Sequence, residues 1–269
     1  MPITITADNI RALTRHAVPR IISGIVDNQQ AITDGGIDTP LRLCHFMAQL
    51  AHESAAFQVT REFASGKAYE GRADLGNTQP GDGVRYKGRG LIQTTGRANY
   101  RRATIAIRKL NSNAPDFEAD PVQLEAFPWA LLAGIIYWQS RNINAAADRD
   151  DIVRVTKLVN GGRNGLADRT QYLRTAKTIW MSGPAAAQAA AGQPAAADDP
   201  RPTLRRGSEG HDVVILQNEL IEAGLKVLAD GDFGEITEEA VKTFQASNGL
   251  EADGVVGRGT WDALIENQG

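Results

Sequence analysis

The sequence predicts a mainly α-helical chain built in two parts. Three observations lead there: apolar residues at helical spacing before residue 182, an Ala- and Pro-rich break after it, and a short internal repeat beyond the break. Strand-like alternation of apolar and polar residues is scarce, so helices must carry the fold.

In chain order, Thr39 followed by Pro40 fits an N-cap and a first helical position. Leu43, Phe46, Met47 and Leu50 then recur at i, i+3, i+4 and i+7, one apolar face of a helix. Val122 to Trp138 reads as a second helix, apolar all round in its second half and therefore suited to the core. Asp150–Val159 and Arg169–Met181 read as further helices. The longest apolar run, Ala130 to Trp138, is too short to cross a bilayer, so no membrane insertion is expected. Residues 183–203 are rich in Ala, Pro, Gly and Gln, and prolines oppose a continuous helix there, which predicts a linker. The expected division is 1–182, a linker at 183–203, and 204–269.

Beyond the linker, Asp230-Gly231-Asp232-Phe233-Gly234-Glu235-Ile236-Thr237 recurs, displaced by 23 residues, as Asp253-Gly254-Val255-Val256-Gly257-Arg258-Gly259-Thr260. Each copy reads as an Asp-Gly turn followed by a Thr able to cap a helix. Helices at 213–224, 237–248 and 260–267 would enclose a small core of Leu216, Leu220, Val241, Phe244, Trp261 and Leu264.

Charge divides the same way. Residues 1–182 hold 23 Lys/Arg and 17 Asp/Glu, whereas residues 183–269 hold 6 and 15. A basic first part suits an anionic polymer, and the absence of a Lys/Arg run makes nucleic acid the weaker partner. Cys44 is the single cysteine, which excludes an intrachain disulfide and a cysteine metal cluster. His45 and His52 are seven apart with no His-Glu-x-x-His, His211 stands alone, and neither a dinucleotide loop, a Walker lysine nor Gly-x-Ser-x-Gly occurs. No metal and no cofactor are expected, and a monomer is. The N-terminal residues have neither a basic region nor a long apolar stretch, so synthesis in the cytosol is expected.

Glycosidic cleavage needs a proton donor and a base or nucleophile. Glu53, in Ala48-Gln49-Leu50-Ala51-His52-Glu53-Ser54, flanks the apolar stripe, where partial burial would suit a proton donor. Glu62 lies nine residues on. On one continuous helix the pair would sit on opposite faces, roughly 13 Å apart along the axis. If both act, the helix must end between them, and Phe57–Thr60 is the expected place. Glu70 is the reserve candidate for the second carboxylate. The segment Tyr86-Lys87-Gly88-Arg89-Gly90-Leu91-Ile92-Gln93-Thr94-Thr95-Gly96-Arg97-Ala98-Asn99-Tyr100 combines flexible glycines with the mixed donors and acceptors that sugar hydroxyls require.

That segment closely resembles the YxGRGxIQ(L/T)(S/T)xxxNY string of family 19 glycoside hydrolases, the chitinase-like fold that many phage lysins use against peptidoglycan. Ala-Gln-x-x-His-Glu-Ser matches the family segment that carries the catalytic acid. The resemblance covers about residues 40–180 and implies a lysozyme-like catalytic domain. Glu53 would be the acid, Glu62 the base of an inverting reaction, and Thr95 the hydroxyl that orients water. It also implies substrate contacts from His52, Tyr86, Gln93, Asn99 and Asn160, with Arg169 beside a catalytic carboxylate. Gly96 departs from the pattern: plant enzymes carry Trp there, which puts chitin-like subsites in doubt. Residues 204–267 resemble the peptidoglycan-binding domain of wall hydrolases. Together these imply an endolysin that cuts the β-1,4 bond between N-acetylmuramic acid and N-acetylglucosamine of peptidoglycan. The alternatives are a chitinase of the same fold and a catalytically silent wall-binding or virion protein.

Overall fold

The computed structural model describes residues 4–181, 202–209, 211–228 and 230–266, and the expected linker lies almost wholly outside them. The chain divides into two compact units. Strand pairing among the described residues is limited to isolated bridges, so helices carry the fold, as the periodicity predicts.

The N-terminal unit opens with α1 (Ala7–Leu13), α2 (Pro19–Asp27) and α3 (Gln29–Asp34). The central helix α4 (Pro40–Glu53) is capped by the Thr39 side chain, which accepts from the Arg42 amide. Its residues Leu43 to Ala51 are all buried. A loop region carries the short turn α5 (Asp82–Arg85), followed by α6 (Arg97–Leu110). The predicted helix from Val122 to Trp138 is in fact two elements, a 3-10 turn at Pro121–Glu125 and α7 (Trp129–Ser140). Pro128 separates them, because it has no N–H to continue a helix. Then come α8 (Asn144–Ala147), α9 (Ile152–Asn160) and α10 (Leu166–Met181). α10 packs along α4, and α7 is buried on nearly every side, with Trp138 edge-on to Phe46 at 5.2 Å.

The C-terminal unit is a three-helix module of α11 (His211–Glu222), α12 (Glu235–Ser247) and α13 (Arg258–Glu266). All six predicted core residues are buried, joined by Leu204, Val213 and Phe233. One expectation needs correction. Thr237 and Thr260 do not cap helices, because α12 and α13 begin two residues earlier. Their hydroxyls instead join two buried glutamines. The Gln217 amide nitrogen donates to Asp230 Oδ1, the Asp232 carbonyl and Thr237 Oγ1, while its oxygen accepts from the Gly231 amide. Gln245 does the same with Asp253, Val255, Thr260 and Gly254.

Candidate active site

α4 stops at Glu53 itself, earlier than Phe57–Thr60. Ser54 Oγ donates to the Leu50 carbonyl and accepts from the Phe57 amide, which folds the chain back on the helix end. Ala55, Ala56 and Phe57 all adopt positive φ, at 52°, 56° and 63°. A left-handed conformation costs a residue with a Cβ roughly 1–2 kcal/mol, so buried packing of these three side chains must hold the turn. The turn redirects the chain, and Glu62 emerges on an extended segment instead of the far face of a helix. That segment is anchored to the Tyr86–Tyr100 string: the Glu62 amide donates to the Gly88 carbonyl at 2.9 Å, and the Gly90 amide to the Thr60 carbonyl at 2.8 Å.

The two carboxylates have different surroundings. Glu53 Oε1 accepts from Arg169 at 2.6 Å, and the same guanidinium donates to Gln49 Oε1 and the Asn164 carbonyl. Arg169 is 2% exposed and Glu53 21%, so a fully buried cation holds a carboxylate that still meets solvent. Glu62 is 9% exposed. Its Oε1 accepts from the Gly88 amide at 2.6 Å and its Oε2 from the Tyr69 hydroxyl at 2.8 Å. Burial, then the Glu62 charge and this hydrogen bond, push the Tyr69 phenol up to about 12, so it remains a donor at neutral pH. Glu70 is occupied elsewhere. Its two oxygens accept from the Gly81 and Gly83 amides and fasten the start of α5.

The remaining expected site residues fall into two groups. Thr95 is half-buried just before α6, and its carbonyl accepts from the Asn99 side chain at 2.7 Å. Asn99 thus supports Thr95, while Arg102 donates to its amide oxygen. Gln93 packs against Gly88, where a Cβ would lie 2.7 Å from Gln93 Oε1. His52 Nδ1 lies 2.5 Å from Asp168 Oδ2, and Gly165 is fitted to the imidazole face: a Cβ there would sit 2.1 Å from the ring. One expectation changes. Tyr86 is 1% exposed, donates its hydroxyl to the Glu118 carbonyl and packs under Arg97, so it is a core residue out of reach of a sugar. Asn160 is exposed, and its amide also shapes the loop that carries Gly165, donating to the Asn164 carbonyl and accepting from the Gly162 amide. The absent Trp at position 96 also has a physical reason. Gly96 has φ of 92°, and a Cβ there would meet the Leu75 carbonyl oxygen at 2.6 Å.

The residues that organise the string include one the sequence reading left aside. Arg89 is buried and paired with Glu125 at 2.7 Å, and it also donates to the Arg85 carbonyl and Tyr100 hydroxyl. Its position inside Gly88-Arg89-Gly90 signals a special backbone, but not which acid it meets. Gln49 was more accessible to reasoning, because it lies one helical turn before Glu53 on the same face. Among the described residues no group of three His, Cys, Asp or Glu side chains is placed to hold a metal ion, and no helix is long and apolar enough to cross a membrane.

Residues 209–264 match the family described as "Putative peptidoglycan binding domain". A Haemophilus influenzae protein described as glycosyl hydrolase family 19 domain-containing is 27% identical over 188 residues, 58% of this chain and 89% of that one. The crystal structure of chitinase C from Streptomyces griseus superposes with a TM-score of 0.54 at 19% identity, covering 67% of this chain and 78% of the other. A Burkholderia AP3 phage endolysin is 45% identical over 24% of this chain and 26% of its own, with a TM-score of 0.24. The chain is thus similar to a family 19 glycosyl hydrolase domain-containing protein, shares the fold of a chitinase, and carries a C-terminal module that matches a peptidoglycan-binding domain family.

Proposed function

We propose that the protein is an endolysin that hydrolyses the β-1,4 bond between N-acetylmuramic acid and N-acetylglucosamine with inversion. Residues 1–182 would be its catalytic domain, 183–203 the linker and 204–269 the wall-binding domain. The observation that carries this reading is the pair Glu53 and Glu62 on either side of the left-handed turn, in a chain with a peptidoglycan-binding domain. Glu53 donates its proton to the glycosidic oxygen as the bond to the anomeric carbon breaks. Water attacks that carbon from the opposite face and gives its proton to Glu62. Arg169 orients Glu53 and stabilises the carboxylate left after protonation. Thr95 suits the water-orienting role, since a hydroxyl both donates and accepts. A linker between the two domains would raise the local concentration of the catalytic domain on an insoluble polymer. The protein would act as a monomer on glycan strands, after synthesis in a host cytoplasm.

A chitinase is the second reading, favoured by the superposition on chitinase C. The test is mass spectrometry of soluble fragments released from purified peptidoglycan. Disaccharide-peptides with a reducing N-acetylmuramic acid end, one water heavier than the anhydro form, are expected. Anhydro ends would mean a lytic transglycosylase. Release of soluble sugar from chitin alone would make it a chitinase, and release from neither would make it a silent binder.

A further inference from the structure

We propose that Tyr69 is a positioning residue for Glu62: its hydroxyl fixes the carboxylate in the orientation that water activation requires. The inference rests on reading Glu62 as the base. Each oxygen of Glu62 has one donor, the Gly88 amide on Oε1 and the Tyr69 hydroxyl on Oε2. The first belongs to the backbone and is fixed by the paired segments 60–62 and 88–90. The second arrives from a separate loop, at the end of the 3-10 turn Lys67–Tyr69.

That loop is pinned close on either side of the phenol. The Tyr69 carbonyl accepts from the Asn77 side chain at 2.9 Å, and Glu70, the next residue, fastens the start of α5 through two amides. This also explains why Glu70 lies so near the site without acting in it. Glu70 holds the turn that delivers the phenol. Held between two donors on different elements, the Glu62 carboxylate keeps one rotamer. The Glu62 charge also acts on Lys87, on the string, and on Tyr100, on α6.

Tyr69→Phe removes the hydroxyl and leaves the ring. Without that donor the carboxylate is no longer held towards the water, so kcat should fall about tenfold with KM unchanged. A residue that only packs the loop would lower the melting midpoint and disturb KM along with the rate. The assay is reducing-end release from purified peptidoglycan by the full chain over a range of substrate concentrations, with Glu62→Gln alongside and melting midpoints recorded for both. A fall confined to kcat at an unchanged midpoint, with an inactive Glu62→Gln, supports the inference. An unchanged kcat, or a loss that follows a lowered midpoint, with an inactive Glu62→Gln overturns it and leaves Glu62 as the base. An active Glu62→Gln overturns both.

Discussion

The two units use buried polar side chains in opposite ways. In the C-terminal module Gln217 gathers an aspartate, a backbone amide and a threonine, and Gln245 gathers the same set one repeat later. In the N-terminal unit the network around Glu53 and Glu62 has no counterpart elsewhere in the described residues. A pattern built twice closes two equivalent turns, so its residues are needed by the fold. A pattern built once, converging on two carboxylates beside a run of left-handed residues, concentrates cost where the fold gains nothing from it. This supports the proposed site.

The comparison is broken or sharpened most strongly by pairing Glu53→Gln with Gln217→Ala. Glu53→Gln retains an acceptor for Arg169 but has no proton of the required acidity to give. Fragment release should fall about 10³-fold, within the usual range for general acid catalysis, while co-sedimentation with wall material stays at the wild-type level. Gln217→Ala leaves Asp230, Gly231 and Thr237 without their shared partner, at a cost of about 1–3 kcal/mol. Its effect should appear as a lower denaturation midpoint and as wall binding lost at lower temperature. Hydrolysis of short soluble glycan fragments should change less than twofold. If Gln217→Ala slowed that hydrolysis as Glu53→Gln does, the division between fold and site would be wrong.

A smaller effect is expected within a single loop. Gly165 and Gly161 both have positive φ, at 68° and 80°. A Cβ at Gly165 would collide with the His52 ring, whereas at Gly161 nothing lies within 4 Å. Gly161→Ala should cost only backbone strain, about 1 kcal/mol, with activity per folded molecule unchanged. Gly165→Ala must also displace His52 from Asp168, next to Glu53, and should lower activity about tenfold. Equal activity in the two variants would detach His52 from the site.

What could be read in advance follows from how local each interaction is. α4, its Thr39 cap and its buried face follow from residues a turn or two apart, so spacing exposed them. The turn repeat was visible for the same reason, but its centre was not: Gln217 and Gln245 precede their turns by different distances, so they break the periodicity that revealed the rest. Glu53 could be singled out from its helix and its surrounding motif. The clamp on Glu62 could not, because Tyr69 and Gly88 come from separate loops joined only by tertiary pairing. Tyr86 misled because an aromatic in a sugar-like string suits a core as well as a subsite. The prolines at 40 and 128 show both outcomes of one rule, the first starting a helix and the second dividing a predicted one.

The smallest expected effect concerns a buried group of the N-terminal unit that takes no part in the proposed chemistry. His45 is fully buried on α4, with Nε2 2.9 Å from Asp150 Oδ1, and Nδ1 has no hydrogen-bond partner among the described residues. Burial pushes the imidazole below its ordinary value, and the pull of Asp150 and Asp151 does not offset this, with Lys177 acting in the same direction as burial. Below about pH 6.5 the unfolded chain therefore binds a proton that the folded chain refuses. Stability should fall as pH drops from about 6.5 towards the folded value and be insensitive to His45 above it. Asp150 does not share this window. Against the opposing effect of burial, its bonds to Lys177 and His45 keep its carboxyl below the usual range, so its contribution is lost only in stronger acid. His45→Gln should thus flatten the denaturation midpoint between pH 7 and 5, by at most about 1.4 kcal/mol per pH unit, without altering the acid limb of the rate profile. An unchanged slope would assign the acid sensitivity to other groups. A shifted rate profile would mean that α4 transmits the charge at His45 to Glu53 at its end, and the separation of site from scaffold would fail inside a single helix.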